Sequence, residues 1–388
     1  MLWTWGLYAL LLILLFARCR PMGPGRWNEE YTTLPQVNRL RAFTAVGVAL
    51  HHMSHKTSAH WVPDVYRIPG LELFVDAGYL FVGVFLFTSG MGLYKSLHGK
   101  QDYLRGFFRR RVLPVTAAFA LSNLVFLLVR LAVGQSISWG QAALYLTGLS
   151  LCNYNGWYAV AIPLFYLAFY LSFRFCRREG AALLWVFAFT LLYVLICAFT
   201  DHSWPFWFAG EWWYNSAALF PLGILFAKYE GPVTRFARKG YWLLLPACVL
   251  GLFALRAFSG MATNVWWGYY GENWGDPYKV LHRLGSAISQ WLVAADYAAL
   301  CFLILMKVRL GGRSLAFLSG LLLEFYLMHG LFVQLFGFDF LGVGRSLLYI
   351  RSMPLYILAV LLCSVPSAMA LKWLRLHIFA HIPPAPRY

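Results

Sequence analysis

The sequence has few charged residues, and acidic residues are especially scarce. Charged side chains make up only 12% of the 388 residues, with 15 acidic against 32 basic ones. An ordinary soluble domain has about 25% charged residues. The low charge content and the mean hydropathy of +0.62 therefore exclude a protein of that class. The seven cysteines form no close pairs in the sequence. They therefore indicate neither a disulfide framework nor a metal site.

Apolar residues occur instead in long runs separated by basic clusters. Runs of about 17 to 25 residues have the length that an α-helix needs to cross a bilayer. The sequence therefore predicts an all-α polytopic membrane protein, located in the cell membrane with the lipid bilayer as its surroundings. Residues 1–388 are predicted to form a single transmembrane domain, because no linker or low-complexity tract divides them. The eleven predicted spans are residues 2–17, 38–56, 71–94, 112–132, 156–173, 181–199, 213–229, 241–258, 285–306, 315–337 and 354–373.

The distribution of the basic residues predicts the orientation of these helices. With the N-terminus outside, 24 of the 32 basic residues fall in cytoplasmic stretches, as the positive-inside rule requires. The net charge of +17 is then a topology signal, and no nucleic-acid partner is expected. Residues 136–152 are apolar, but this topology requires that they do not span. We therefore predict an interfacial or re-entrant helix there.

Arg41 and His52 stand eleven residues apart in one apolar segment. On a helix this spacing corresponds to about 16 Å along the axis and about 20° around it, which places both side chains on one face. Ionisable groups inside a membrane are costly and mark functional sites. Imidazole suits the removal of a hydroxyl proton near neutral pH, so His52 is a candidate catalytic base. A guanidinium suits phosphate or carbonyl oxygens, so Arg41 is a candidate for holding a donor.

Other polar residues in the apolar segments are secondary candidates. Buried carboxylates need partners or protonation, so Glu324 and Asp296 are predicted to line a polar tunnel. Glu324 and His329 are five residues apart, too far around a helix for one tight face, although both can border a cavity. His51 and His55 have the spacing of a metal-binding pair. No carboxylate or cysteine is close in sequence, so no metal site is predicted there.

Five short motifs follow one another along the chain. They are Arg41 with His52, residues 83–90 (GVFLFTSG), residues 107–114 (FFRRRVLP), Trp157-Tyr158-Ala159 with Tyr166, and Tyr326-Leu327-Met328-His329. In order and spacing they resemble the motifs of the acyltransferase-3 family of integral membrane acyltransferases. The chain departs from that pattern at Gly83, where the family often has an acidic residue. It departs again at Ile162-Pro163, which replaces a usual glutamate.

The resemblance implies both a fold and an activity. The fold is a ten-helix core at residues 38–373, preceded here by one extra helix within residues 1–20. The activity is that of a membrane-bound O-acyltransferase that moves an acyl group, with acetyl expected, from cytoplasmic acyl-CoA. This donor is a cosubstrate, and no tightly bound cofactor is expected. The implied site residues are His52 and Arg41 for catalysis, Arg41 and Arg111 for the donor, and Glu324, His329, Tyr326, Trp157 and Tyr166 for the substrate path.

The implied acceptor is a hydroxyl of an envelope carbohydrate or lipid-linked glycan, with peptides, macrolides and lipids left open. Direct transfer and an acyl-His52 relay both remain possible. The alternative function is a transporter or flippase for a lipid-linked sugar, and a receptor or scaffold without chemistry ranks third. Transporters often carry matching broken helices, which the sequence does not show. Two aromatic-rich outer loops, at residues 202–214 and 266–274, fit an interfacial belt better than a stacking platform for the acceptor.

Overall fold

The computed structural model describes residues 2–201, 210–267, 275–342, 344 and 346–380. This part of the chain is mostly helical. The α-helices are α1 (Leu2–Phe16), α2 (Leu34–His55), α3 (Gly78–Gly99), α4 (Phe107–Ala132), α5 (Trp139–Thr147), α6 (Trp157–Phe175), α7 (Glu179–Phe199), α8 (Leu219–Lys228), α9 (Glu230–Lys239), α10 (Tyr241–Met261), α11 (Lys279–Lys307), α12 (Arg313–Ser319), α13 (Leu322–Phe336) and α14 (Met353–Ala380). Two short strands, β1 (Arg20–Pro21) and β2 (Val308–Arg309), pair in antiparallel fashion.

Seven helical segments of the described chain are long and apolar enough to cross a membrane. They contain α3, α4, α6, α7, α10, α11 and α14. Helices α12 and α13 would form an eighth span if counted together, but they meet at an angle of 90°. The helical, multi-pass character predicted from the sequence agrees with this architecture. The count of eleven spans and the N-outside orientation stay predictions.

Four predicted spans look different in the structure. Helix α1 has 15 residues and α8 has 10, fewer than the roughly 20 that a straight span needs. Helix α2 is long enough, with 22 residues, but its polar and ionisable side chains make it less apolar than the other long helices. The break between α12 and α13 interrupts the predicted span at residues 315–337. Helix α5, in the segment predicted not to span, has only 9 residues.

Helix α3 lies at the centre of the bundle and packs on α2, α8 and α11. Its backbone touches that of α8, because a Cβ on Gly90 would collide with the carbonyl oxygen of Phe220. In the same way, a Cβ on Gly223 would collide with the carbonyl oxygen of Phe87. Small residues allow such close crossings of membrane helices. The two glycines therefore fix the position of α3 against α8.

We expect Gly223→Ala to destabilise the protein, because the added methyl group would push α8 away from α3. Overpacking of this kind costs about 1–3 kcal/mol. The measurement is the midpoint of thermal unfolding of the full-length protein in detergent. Gly92→Ala is the matched control, because no described atom lies within 4 Å of a Cβ built there. Equal midpoints for the two variants would contradict the close crossing.

Helix α2 runs through the bundle, and its two ends contact different helices. Its N-terminal part carries Arg41 and contacts α3, and its C-terminal part carries His52 and contacts α13. Helix α13 in turn packs along α14 and against α4. We call the two ends of the bundle the Arg41 end and the His52 end.

Candidate active site

A cavity of about 300 Å³ lies at the His52 end of the bundle. Helix α2 contributes three histidines to its wall, and α10, α11 and α13 contribute further polar groups. The polar and aromatic side chains that line it include His51, His52, His55, Trp61, Asp76, Tyr79, Asn155, Trp157, Trp212, Asn215, Arg256, Asn264, Gln290 and Tyr326. A concave site with a few convergent polar groups is the usual form of a small-molecule site.

His52 forms a buried imidazole pair with His329 of α13. The Nδ1 atom of His52 lies 2.7 Å from the Nε2 atom of His329, and the two ring planes are parallel within 4°. The side of His329 away from His52 is also occupied, because its Nδ1 lies 3.0 Å from the carbonyl oxygen of Phe325. His52 lines the cavity, whereas His329 lies behind it and is fully buried.

These contacts determine which ring nitrogens carry protons when both rings are neutral. A carbonyl oxygen only accepts, so Nδ1 of His329 must be the donor to Phe325. The Nε2 atom of a neutral His329 then carries a lone pair and accepts from Nδ1–H of His52. His52 is left with an unprotonated Nε2, for which no described residue provides a hydrogen bond. The pair therefore leaves a basic nitrogen on the residue that lines the cavity.

His51 and His55 are held by the backbone of the loop that precedes α3. Nδ1 of His51 lies 2.8 Å from the carbonyl oxygen of Phe74, and Nε2 of His55 lies 2.9 Å from that of Val75. Within the described ranges, no group of three or more His, Cys, Asp or Glu side chains is arranged to hold a metal ion. These two histidines act as tethers that keep the loop against α2.

Arg41 is bound by hydroxyl groups of α3. Its Nε donates to Oγ1 of Thr88 at 2.7 Å, and its Nη2 donates to Oγ of Ser89 at 3.2 Å. Among the residues that the structure describes, no carboxylate lies within ion-pair distance of Arg41. A partly buried guanidinium with only neutral acceptors keeps its capacity to bind an anion or a polarised carbonyl.

A row of polar groups connects Arg41 with the cavity. The hydroxyl of Ser89 lies 3.3 Å from the hydroxyl of Tyr158. The backbone N–H of Tyr158 donates to the hydroxyl of Tyr326 at 3.3 Å, and Tyr326 lines the cavity beside His52. Arg41 and His52 contact different helices, but this row joins the two ends of the face that they share on α2.

The residues predicted from the family motifs divide between the two ends. Arg111 donates to the hydroxyl of Tyr103 at 2.7 Å and, like Tyr166, is close enough to interact electrostatically with Arg41. Trp157 lines the cavity, and its ring centroid lies 5.7 Å from that of Trp213. The structure thus groups Arg41, Arg111 and Tyr166 at one end. At the other end it groups His52, His329, Tyr326 and Trp157.

The two carboxylates predicted to line a tunnel are elsewhere. Oε1 of Glu324 accepts from Nε and Nη2 of Arg375 at 2.9 and 2.7 Å, so this buried ion pair ties α13 to α14. Asp296 faces α10, where its carboxylate lies against Gly251. Neither residue lines the cavity. Their placement gives the tunnel hypothesis no support at these two positions.

The aromatic loops are only partly visible. Residues 202–209 and 268–274 lie outside the described residues. Of the remainder, Trp212 lines the cavity and Trp213 is buried behind Trp157. At least one tryptophan of the first loop is therefore positioned at the cavity and not only in an interfacial belt.

Several functional side chains were not identified from the sequence alone. Thr88 and Ser89 belong to the motif at residues 83–90, for which the sequence suggested no role at the site, yet their hydroxyls hold Arg41. Tyr158 stood inside a quoted motif without a role. Arg256 lines the cavity from α10, and as an ionisable residue in a predicted span it met the same criterion as Arg41.

Comparison with known proteins gives a consistent assignment. The family model of acyltransferase-3, described as an acyltransferase domain, matches residues 34–373, nearly the whole chain. No curated protein and no solved structure matches the chain. The matched region starts at the first residue of α2 and includes the imidazole pair and the polar row, whereas α1 lies outside it. The chain therefore belongs to the acyltransferase-3 family of multi-pass membrane acyltransferases.

Proposed function

We propose that this protein moves an acetyl group from cytoplasmic acyl-CoA to a hydroxyl of an envelope carbohydrate or lipid-linked glycan, with His52 as the base. The proposal is carried by one observation, the imidazole pair that leaves Nε2 of His52 unprotonated at the cavity wall. A general base must present a lone pair to the proton that it removes. Among the residues that the structure describes, no carboxylate contacts the ring of His52, and His329 with the Phe325 carbonyl would orient it instead.

The transfer proceeds in two proton movements. Nε2 of His52 takes the proton of the acceptor hydroxyl while the hydroxyl oxygen attacks the thioester carbonyl. The carbon–sulfur bond then breaks, and the coenzyme A thiolate leaves with the proton from His52, so that an ester and a free thiol result. The Tyr326 hydroxyl accepts from the Tyr158 backbone and keeps its own proton for the developing oxyanion.

The cavity has the chemistry of a carbohydrate acceptor site. Asn155, Gln290 and Asp76 supply amide and carboxylate groups for sugar hydroxyls, and Trp157 and Trp61 supply ring surfaces. A volume of about 300 Å³ is at the lower end of the range for ligand sites, which suits one sugar residue. In the predicted orientation this cavity faces outward, where the acceptor would enter.

The donor would approach from the opposite end. Arg41, with Arg111 nearby, would hold an oxygen of the acyl-CoA donor, and in the predicted orientation both lie at the cytoplasmic side. The polar row through Ser89, Tyr158 and Tyr326 then marks the direction in which the thioester extends towards His52. A relay through acyl-His52 would use the same Nε2 atom, and a burst of one acyl group per protein would reveal it.

The first experiment is a donor assay with purified full-length protein in detergent or liposomes. It measures the free thiol released from acetyl-CoA, with and without a candidate glycan, for wild type, His52→Ala and Arg41→Ala. We expect thiol release by wild type, none by His52→Ala, and release by Arg41→Ala only at much higher acetyl-CoA concentrations. Equal behaviour of all three proteins on several acyl-CoA donors, with no detectable binding, would overturn the proposal and favour the flippase.

His329 is proposed to act through His52, so its substitutions should change turnover more than donor binding. We expect His329→Phe to lower kcat about 10- to 100-fold, a typical cost of removing the partner that orients a functional histidine. The KM for acyl-CoA should stay near the wild-type value. His329→Gln should recover part of the rate, because its amide oxygen can accept from Nδ1–H of His52. A proportional loss of folded protein in both variants, without a change in kcat, would show a purely structural role.

A further inference from the structure

A second cavity, of about 290 Å³, lies at the Arg41 end of the protein and is lined mainly by arginines. Its wall consists of Arg18, Arg20, Arg39, Arg309, Leu310 and Gly311. These residues come from three separate parts of the chain: the segment after α1, the first turns of α2, and the segment after α11. Four arginines from three segments of the chain therefore border one small space.

The positive charge in this cavity is poorly compensated. Arg309 pairs with Glu30 at 2.6 Å. For Arg18, Arg20 and Arg39, no carboxylate of the described chain lies within ion-pair distance. The Nε atom of Arg39 is buried without a hydrogen-bond partner. A buried donor without an acceptor is costly, and the side chains of Arg18 and Arg20 beside it are exposed. An anionic ligand would supply the acceptor that Nε of Arg39 lacks and a counter-charge for the three arginines.

The strand pairing adds a second, independent indication. Arg20 of β1 stands directly opposite Arg309 of β2, and like charges in that arrangement repel. Contacts of the neighbouring residues nevertheless hold the two strands in this pairing. Gln36 exchanges two hydrogen bonds with the backbone of Leu310, at 3.1 and 2.8 Å. The backbone of Arg18 also lies so close to Gly311 that a Cβ there would collide with it.

We propose that this four-arginine cavity is a binding site for a phosphate or diphosphate group. Arginine forks match the geometry of phosphate oxygens, and a net positive cavity of this size suits a phosphate group better than a neutral ligand. Arg39 and Arg41 are two residues apart on α2, which is about 200° around the helix. The cavity is therefore separate from the polar row that leads to His52.

The inference also gives the N-terminal segment a function. Arg18 and Arg20 precede the region that matches the family model, which begins at residue 34. The part of the chain outside the matched region therefore completes the cavity. The phosphate has two possible sources, the nucleotide part of acyl-CoA and the headgroup of an anionic membrane lipid. Only the first source rests on the proposed function.

The test is a calorimetric titration with pyrophosphate of the full-length protein in neutral detergent. The first variant is R18Q/R20Q, because these two exposed arginines should tolerate replacement. Arg39 is partly buried, so it is replaced separately and more conservatively in R39K. The matched control is R177Q/R178Q, which removes the same charge from two exposed arginines away from the cavity. We expect pyrophosphate to bind wild type and the control equally. The Kd should be at least tenfold higher for R18Q/R20Q and several-fold higher for R39K.

Two further titrations distinguish the sources. If coenzyme A competes with pyrophosphate and binds R18Q/R20Q at least tenfold more weakly, the donor supplies the phosphate. If only phosphatidylglycerol in nanodiscs competes, the source is a lipid headgroup. No detectable pyrophosphate binding, or equal weakening in R18Q/R20Q and the control, would overturn the site. The readout is binding and not turnover, so such a failure would leave the His52 assay unaffected.

Discussion

Replacing His52 with glutamine should abolish nearly all acyl transfer while the protein stays folded. A positioned general base contributes about 100- to 10,000-fold to a rate, and we expect a loss in that range. The glutamine amide can still donate to Nε2 of His329, so the contact between α2 and α13 survives. The measurement is the steady-state rate of thiol release with acceptor present, at saturating acetyl-CoA.

His60→Gln is the matched control for this prediction. His60 lies five residues beyond the end of α2 and is exposed, so the same chemical change there should leave the rate near wild type. The thermal unfolding midpoints of both variants should remain close to that of wild type. A His52→Gln variant with more than a tenth of wild-type turnover would exclude His52 as the base.

Replacing Arg41 with glutamine should chiefly weaken the binding of the acyl-CoA donor. A hydrogen bond to a charged group contributes about 1.5–3 kcal/mol, so we expect the KM for acyl-CoA to rise about 10- to 100-fold. Arg41→Lys should recover only part of the lost donor affinity. An ammonium group keeps the charge but lacks the planar guanidinium that contacts Thr88 and Ser89. The KM for the acceptor, which binds at the other end, should change much less.

Arg174→Gln controls for the loss of charge at the Arg41 end. Arg174 is exposed in the last turn of α6, and its replacement should leave both KM values unchanged. Equal increases in the donor KM for Arg41→Gln and Arg174→Gln would mean that general positive charge attracts the donor. An unchanged donor KM in Arg41→Gln would exclude Arg41 from donor binding.

The sequence was most informative about candidate site residues that lie on a single helix. Helical geometry was enough to place Arg41 and His52 on one face of α2, three turns apart, and the structure has an unbroken helix over residues 34–55. The same spacing argument predicted that Glu324 and His329 do not share one tight face. In the structure they do have different surroundings. Local periodicity determines such relations, because they need no information about other helices.

Contacts between side chains on different helices could not be predicted from helical periodicity. The partner of His52 is 277 residues away, and the partner of Glu324 lies on the following helix, 51 residues away. The proton positions on His52 and His329, and the ion pair of Glu324 with Arg375, depend on neighbours that only tertiary packing provides. Hydrophobic patterning gives the length of a membrane helix but not which of its faces points to which neighbour. It therefore could not show that Asp296 faces α10 instead of the cavity.

The break between α12 and α13 was similarly hidden. The predicted span at residues 315–337 contains few polar residues besides Glu324 and His329. The 90° bend falls at Gly320 and Leu321. Glycine is tolerated in membrane helices, so its presence alone did not predict a bend. The bend follows from packing, since α12 contacts α2 while α13 turns to run beside α14.

The distance in sequence between His52 and His329 also affects how the enzyme is made. A ribosome that adds about 5–20 residues per second needs roughly 14 to 55 s to synthesise the 277 residues between them. Throughout that interval the ring of His52 has no partner to fix its tautomer. The base that we propose is consequently not oriented in the nascent chain during this interval. Competence for acyl transfer arises only after α13 has been added, so unfinished copies would not waste the cellular thioester pool.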